Sequence, residues 1–259
     1  MANQYYTRSF YAKHLAGMSS SANIILPLVY RYFTPKNILD VGCGQGAWLA
    51  AAETLGTSDL SGIDGSWVNT NCFVTNKIKF NAFDLSKGIP SATKKYDLCI
   101  SLEVAEHLPA DKASEFIDFL CASSDLILFS AATKHQGGEN HINEQWQSYW
   151  VDLFKLRKFN CIDYIRPEIW NNQNVEWWYK QNIFVFVKQE SSINSCFSQL
   201  PQNNTIYDLI HPTNYEQKYY HHSDAISNPS LSFSAKIVCR TLKSFYKKIG
   251  RKVKSFIKK

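Results

Sequence analysis

Asn37-Ile-Leu-Asp-Val-Gly-Cys-Gly-Gln-Gly46 is the stretch from which the fold can be read. Its opening is a short apolar run, predicted as a buried strand. Gly42, Gly44 and Gly46 then recur at every second position. They predict a tight turn in which the backbone passes close to a ligand without a Cβ clash. Ala47 to Leu55 follows as an alanine-rich helix that Gly56 ends. A helix that opens after such a turn offers free N–H groups at the carboxyl end of a strand, where open α/β sheets bind ligands. The spacing is G-x-G-x-G rather than the G-x-G-x-x-G of dinucleotide sites. An acid, Asp40, stands before the first glycine. There it repels a pyrophosphate and attracts an ammonium group.

The pattern repeats outward from this stretch. Ser21 to Phe33 is predicted as a helix leading to a stop at Thr34-Pro35. Leu60–Asp64, Ile78–Asp84, Tyr96–Leu102, Leu126–Ala131, Phe159–Ile165 and Ile183–Lys188 are the further expected strands. Lys112–Cys121 and Gln145–Leu156 are expected helices between them. Strands alternating with helices predict an α/β domain, a mostly parallel sheet with helices on both faces. The last two strands are expected to follow one another without a helix.

Asp64 ends the second strand, where a carboxylate can accept both hydroxyls of a ribose. Asp84 follows the third, in Phe80-Asn-Ala-Phe-Asp-Leu85. Three acids after three successive strands, with the glycine turn, resemble the class I S-adenosylmethionine (SAM)-dependent methyltransferases over roughly residues 20–190. The resemblance implies a Rossmann-like sheet of seven strands with the last antiparallel. It implies SAM as cofactor, with Asp40, Gly42, Gly44 and Gly46 at the methionine end and Asp64 at the ribose. Asp84 would then serve the adenine, and Leu102 and Glu103 would lie at the end of the fourth strand.

Ser101-Leu-Glu-Val-Ala-Glu-His107 brings Glu103, Glu106 and His107 at i, i+3 and i+4. On a helical turn all three share one face, as a divalent cation or a general base requires. After the fifth strand, Gln136-Gly-Gly138 predicts a flexible loop over the same sheet edge, with His141 on it. Together with His141-Ile-Asn-Glu-Gln-Trp146, these motifs are similar to those of one bacterial methyltransferase subgroup found with polysaccharide and natural-product enzymes. Small-RNA 2′-O-methyltransferases offer a second resemblance, in which Glu103, Glu106, His107 and His141 would hold Mg²⁺. The alternatives for these residues are metal ligands, a metal-free base (His107 or His141, with Glu106) and a structural role. Trp146, Tyr149, Trp150, Trp170, Trp177, Trp178 and Tyr179 cluster late in the domain, with Trp146 and Trp178 the candidates for a pocket.

Composition bounds the setting. The chain has 259 residues, 45% of them hydrophobic, enough for one large core. Seven scattered cysteines without a C-x-x-C predict buried thiols in a reducing, cytoplasmic setting. Met1 to His14 lacks the basic-then-apolar order of a secretory leader. The net charge of +6 divides unevenly, because residues 231–259 hold ten Lys and Arg and no acid. Residues 1–230 are therefore mildly acidic, which argues against a nucleic-acid enzyme. Residues 1–189 are expected as the methyltransferase domain, 190–230 as a polar linker or extension, and 231–259 as a basic amphipathic helix. In the last, Val238, Leu242, Phe245, Ile249, Val253 and Phe256 form one stripe. Such a helix suits the anionic cytoplasmic face of a membrane. The expected activity is O-methylation of a sugar hydroxyl on a surface glycan or lipid-linked precursor. The alternatives are a small-molecule or natural-product acceptor, RNA, and a non-catalytic SAM-binding scaffold.

Overall fold

The structure is a computed structural model and describes residues 8–202, 206–227, 230–232 and 234–243. Seven strands alternate with helices: β1 (Asn37–Val41), β2 (Asp59–Asp64), β3 (Ile78–Ala82), β4 (Leu98–Leu102), β5 (Leu126–Ser130), β6 (Phe159–Ile162) and β7 (Phe184–Lys188). They form one sheet in the order β3-β2-β1-β4-β5-β7-β6. The pairs among β1 to β5 are parallel, and β7 runs antiparallel to both β5 and β6. The first connection moves outward from β1 to β2 and the return starts at β4 on the other side. The crevice at the carboxyl ends of β1 and β4 is thus the topological switch point.

Alternation along each strand builds two cores. Ile38, Leu98, Ile100, Leu126 and Leu128 face one side, and Leu39, Val41, Cys99, Ile127 and Phe129 face the other. Helices α1 (Arg8–Tyr30) and α2 (Ala47–Thr54) cover the first face. Ala22, Ile25, Leu26 and Val29 form the buried stripe of α1. Helices α3 (Ala113–Ser123) and α4 (Gln147–Lys155) cover the second. There Phe154 stacks on Phe186 with ring centroids 3.8 Å apart.

Three expectations change. The first helix starts at Arg8 rather than Ser21 and carries Pro27 within it. Two short helices, α5 (Ile165–Ile169) and α6 (Trp177–Asn182), stand between β6 and β7, where none was expected. Runs of five and six residues are too short to show a helical period.

The third change concerns residues 190–230. The first compact unit runs through His211, so the expected linker is divided. Phe197 is wholly buried beside Tyr32 and Tyr164. Tyr207 is buried against Phe184. Arg166 is buried, paired with Asp163, and donates to the Tyr207 and Gln181 carbonyls at 2.8 and 3.1 Å. Asp208 accepts from the Ser148 N–H and hydroxyl at 2.8 and 2.9 Å and so caps α4. A few aromatic anchors and paired polar groups seat a segment whose composition reads as solvated.

The second unit, residues 212–259, is described by itself. It holds α7 (Pro212–Ser227), with Tyr215, Tyr219 and Tyr220 exposed, and residues 234–243 are helical. Val238 and Leu242 of the expected stripe are exposed. Phe245, Ile249, Val253 and Phe256 lie outside the described residues.

Phe197→Ala should lower stability by about 3–5 kcal/mol, the usual cost of emptying a buried phenylalanine site. Urea denaturation measures it, and a loss below about 1 kcal/mol would mean that the segment is not part of the core.

Candidate functional site

The glycine turn crosses the switch point. Gly42 and Gly46 both have left-handed backbones, with φ of 84° and 78°. A Cβ on Gly42 would meet Val104 at 2.3 Å, and one on Gly46 would meet Ile78 at 2.2 Å. Asp64 reaches across from β2. Its carboxylate accepts the Gly44 N–H at 2.8 Å and the Gly65 N–H at 2.6 Å.

Asp40 is buried, and its Oδ2 accepts no hydrogen bond among the described residues. Burial, and then the charge of Asp64, pushes its carboxyl up to about 8. A buried polar atom without a partner calls for a donor from outside the chain. The turn opens on a cavity of about 480 Å³ that Asp40, Asp64, Asp84, Leu102 and Glu103 all line. The volume is that of a small-molecule site. Asp84 itself accepts from Ser86 and pairs with Lys87 at 3.1 Å. Trp67 and Met18 also line the cavity, and nothing in the sequence pattern singles either out.

After β4 the expected helical turn is absent at Glu103. This residue has a left-handed backbone, φ 56°, and only Ala105–His107 form a 3₁₀ turn. Glu103, Glu106 and His107 therefore do not share one face. The Glu103 carboxylate instead takes N–H donors from Gln136 and Asn182, each at 3.2 Å.

Glu106, His107 and His141 do come together, with potential ligand atoms all within 4.8 Å of one another, and Glu103 stands outside that group. The four-residue set of the Mg²⁺ alternative is therefore not assembled, and the two imidazoles and one carboxylate that remain lack the oxygen ligands that Mg²⁺ prefers. Glu106 is fully buried, and neither of its oxygens accepts a hydrogen bond from a side chain among the described residues. Burial, and then the Glu103 charge, hold its carboxyl well above the ordinary range. Burial, and then His141, push His107 down to about 4, so its imidazole is neutral at physiological pH.

The loop after β5 delivers His141. The Ile142 and Asn143 N–H groups donate to the Glu106 carbonyl at 2.9 and 3.0 Å and pin the loop to the 3₁₀ turn. His141 Nδ1 lies 2.9 Å from Glu144 Oε1, which also accepts the Gly137 N–H at 2.6 Å. An ionised carboxylate only accepts, so it fixes the His141 proton on Nδ1 and leaves a lone pair on Nε2. That Nε2 lies 4.0 Å from Glu106 Oε1. A Cβ on Gly138 would strike the His141 ring at 2.4 Å, so this approach requires glycine. Glu144 was not among the expected site residues, although its spacing of three from His141 was a legible signal. Trp178 lines the cavity along with Trp177 and Tyr179. Trp146 is not part of its lining and is 38% exposed.

The sheet order, the antiparallel β7 and the acid-flanked glycine turn define the fold of class I SAM-dependent methyltransferases. A family model described as a methyltransferase domain matches residues 19–200, and the chain belongs to that family. Among solved structures, the DhpI–SAH complex aligns with a TM-score of 0.53 at 12% identity, covering 73% of this chain and 95% of the other. Magnesium protoporphyrin IX methyltransferase (ChlM) from Synechocystis PCC 6803 with bound SAH aligns with a TM-score of 0.50 at 18% identity, covering 67% and 84%. At these identities the likeness is one of fold. No curated protein sequence matches the chain.

Asp40 supplies a test of the cofactor end. An ammonium group beside it favours the charged form and lowers its pKa. An acid at about 8 is mostly protonated at pH 7, so binding expels that proton. Affinity should rise with pH and level off above about 8. Calorimetry with S-adenosylhomocysteine (SAH) at pH 7, in two buffers of different ionisation heat, should show close to one proton released. Asp40→Asn should abolish the release, and no release by the wild type would refute the assignment.

Proposed function

We propose that this chain is a SAM-dependent O-methyltransferase whose acceptor is a sugar hydroxyl of a surface glycan or lipid-linked precursor. The observation that carries the transfer reading is the His141–Glu144 pair, whose imidazole lines the same cavity as the glycine turn. The cofactor end fits SAM: Asp40 has an oxygen in need of a donor, Gly42 and Gly44 of the turn line the cavity, and Asp64 retains lone pairs for hydroxyls. When bound, SAM supplies a methyl group made electrophilic by its sulfonium.

The chain's own residues would do the rest. Glu144 holds His141 in the tautomer whose Nε2 can take a proton from an acceptor hydroxyl, work worth about 10²–10⁴-fold in rate. Neutral His107 packs edge-to-face on His141, with centroids 4.9 Å apart, and limits its rotation. Burial holds the Glu106 carboxyl, 4.0 Å from Nε2, well above the ordinary carboxylate range. Trp177 and Trp178 offer apolar faces to a ring on the acceptor.

A second reading draws on the closeness of Glu106, His107 and His141. A borderline divalent cation suits two imidazoles and a carboxylate. The nucleic-acid reading gains nothing from the cavity, which no Lys or Arg lines among the described residues.

The experiment is transfer of labelled methyl from SAM to glycan, lipid-linked and small-molecule fractions of an extract, with and without a chelator. Label should enter a saccharide-bearing fraction whether or not the chelator is present. His141→Ala should lower transfer by about 10²–10⁴-fold while SAH affinity stays within about twofold. Label only in small, sugar-free products would refute the acceptor class. Loss of transfer with the chelator would favour the metal reading.

A lipid-linked acceptor accords with the basic stretch at 231–259, where each Lys or Arg near an anionic leaflet adds about 1 kcal/mol of attraction. No helix among the described residues is long and apolar enough to cross a membrane. The full chain should sediment with phosphatidylserine vesicles at low salt and a chain ending at Ser230 should not. Equal sedimentation of the two removes this part of the proposal.

A further inference from the structure

Three buried carboxamides wire Glu103 to the backbone. The Thr133 N–H donates to Gln136 Oε1 at 3.1 Å, and the His211 N–H donates to Gln181 Oε1 at 2.9 Å. A backbone N–H cannot accept, so these two bonds fix which end of each amide is the oxygen. Gln181 must then turn its Nε2 toward Gln136 Oε1 and Asn182 Oδ1, at 3.0 and 3.1 Å. With its Oδ1 an acceptor, Asn182 presents Nδ2 to the two Glu103 oxygens at 3.2 and 3.4 Å. Gln136 presents Nε2 to Glu103 Oε2 at 3.2 Å. Two backbone donors therefore set the direction of a run of polarised amides, and the run ends on one carboxylate.

Glu103 is built to stay where it is. Its left-handed backbone is one that a non-glycine residue holds only when its surroundings impose it. The Ser130 carbonyl and hydroxyl both take its N–H, at 3.0 and 3.2 Å. It lines the cavity at the carboxyl end of β4, next to β1 and its Asp40. The cavity is lined by six acids, Asp40, Asp64, Asp84, Glu103, Glu106 and Glu139, and by no Lys or Arg among the described residues. SAM would engage the first three, burial holds the Glu106 carboxyl well above the ordinary range, and Glu139 lies on the exposed loop. That leaves Glu103 as the buried carboxylate oriented by the Gln136 and Asn182 donors, with no Lys or Arg lining the cavity beside it among the described residues.

On the methyltransferase reading above, we propose that Glu103 faces the transferable methyl and receives a donor or cationic group of the acceptor. The site would thereby select acceptors that are neutral or cationic at the reacting atom and reject those with a phosphate or carboxylate beside it. Discrimination comes from like charge in a closed space, where an anionic acceptor would find no cation to pair with.

Sinefungin tests this without knowledge of the acceptor, because it carries an ammonium where SAM carries the methyl. Calorimetry compares sinefungin with SAH on the full chain and on Glu103→Gln, with thermal melting as the check on folding. Sinefungin should bind the wild type about tenfold tighter than SAH, as a charge-assisted hydrogen bond predicts. Glu103→Gln should lose that preference with SAH affinity unchanged within about twofold. Glu103→Ala, which lets water satisfy the amides, should behave alike and serves if the glutamine variant does not fold. Equal weakening of both ligands would place Glu103 on the methionine end and overturn the proposal. An unchanged preference, or none in the wild type, would overturn it too. Failure of the folded wild type to bind SAH at all would overturn the methyltransferase reading itself.

Discussion

The carboxylate of Asp64 ties the ends of two strands together. Its bonds to the Gly44 and Gly65 N–H groups, at 2.8 and 2.6 Å, hold the glycine turn against the end of β2. The three glycines of the turn have no side chains with which to hold it, and only Cys43 and Gln45 bury one. Its left-handed residues would otherwise sample many conformations, and the N-terminus of α2 would lose its position over β1. With the turn fixed, Val104 can pack where a Cβ on Gly42 would otherwise lie. The residue after β4, Glu103, is then forced out of the helical path and into the cavity.

The acids of this cavity are distinguished by how many N–H groups each receives. Burial raises Asp64 and Glu103, and the donors around each oppose it. Asp40 has no such opposing donor and rises to about 8. Glu106, next to the Glu103 charge, rises well above its ordinary range. How strongly burial is opposed at each acid thus depends on the backbone and carboxamide groups aimed at it.

Much of this was legible. The apolar runs and the glycine turn give the sheet, because a buried strand and a φ above zero each leave a compositional mark. Asp40 and Asp64 follow from their place at strand ends. The helical spacing of Glu103, Glu106 and His107 misled, because the chain enters a left-handed residue before the 3₁₀ turn begins, and periodicity presumes continuous helix. Gln136 heads the Gln136-Gly-Gly138 motif, but nothing in the sequence shows that it meets Gln181 and Asn182 at Glu103. A buried carboxamide looks like a surface one until its partners are known, and the partners here are up to 79 residues apart.

The segment after β7 shows how far that illegibility extends. Residues 190–211 read as linker because they are polar, yet two of their backbone groups are structural partners of the site. The Leu209 carbonyl accepts from Gln147 at 2.8 Å, and Gln147 in turn accepts from Thr133 at 3.1 Å. The His211 N–H sets the orientation of Gln181 and, through it, of Asn182. Were His211 displaced, Gln181 could rotate by half a turn at little cost, and the Asn182 donors would no longer be committed to Glu103. The orientation of the carboxamides on Glu103, which lines the cavity, is therefore set in part by a segment remote in sequence, whose polarity serves to satisfy buried amides rather than to meet solvent.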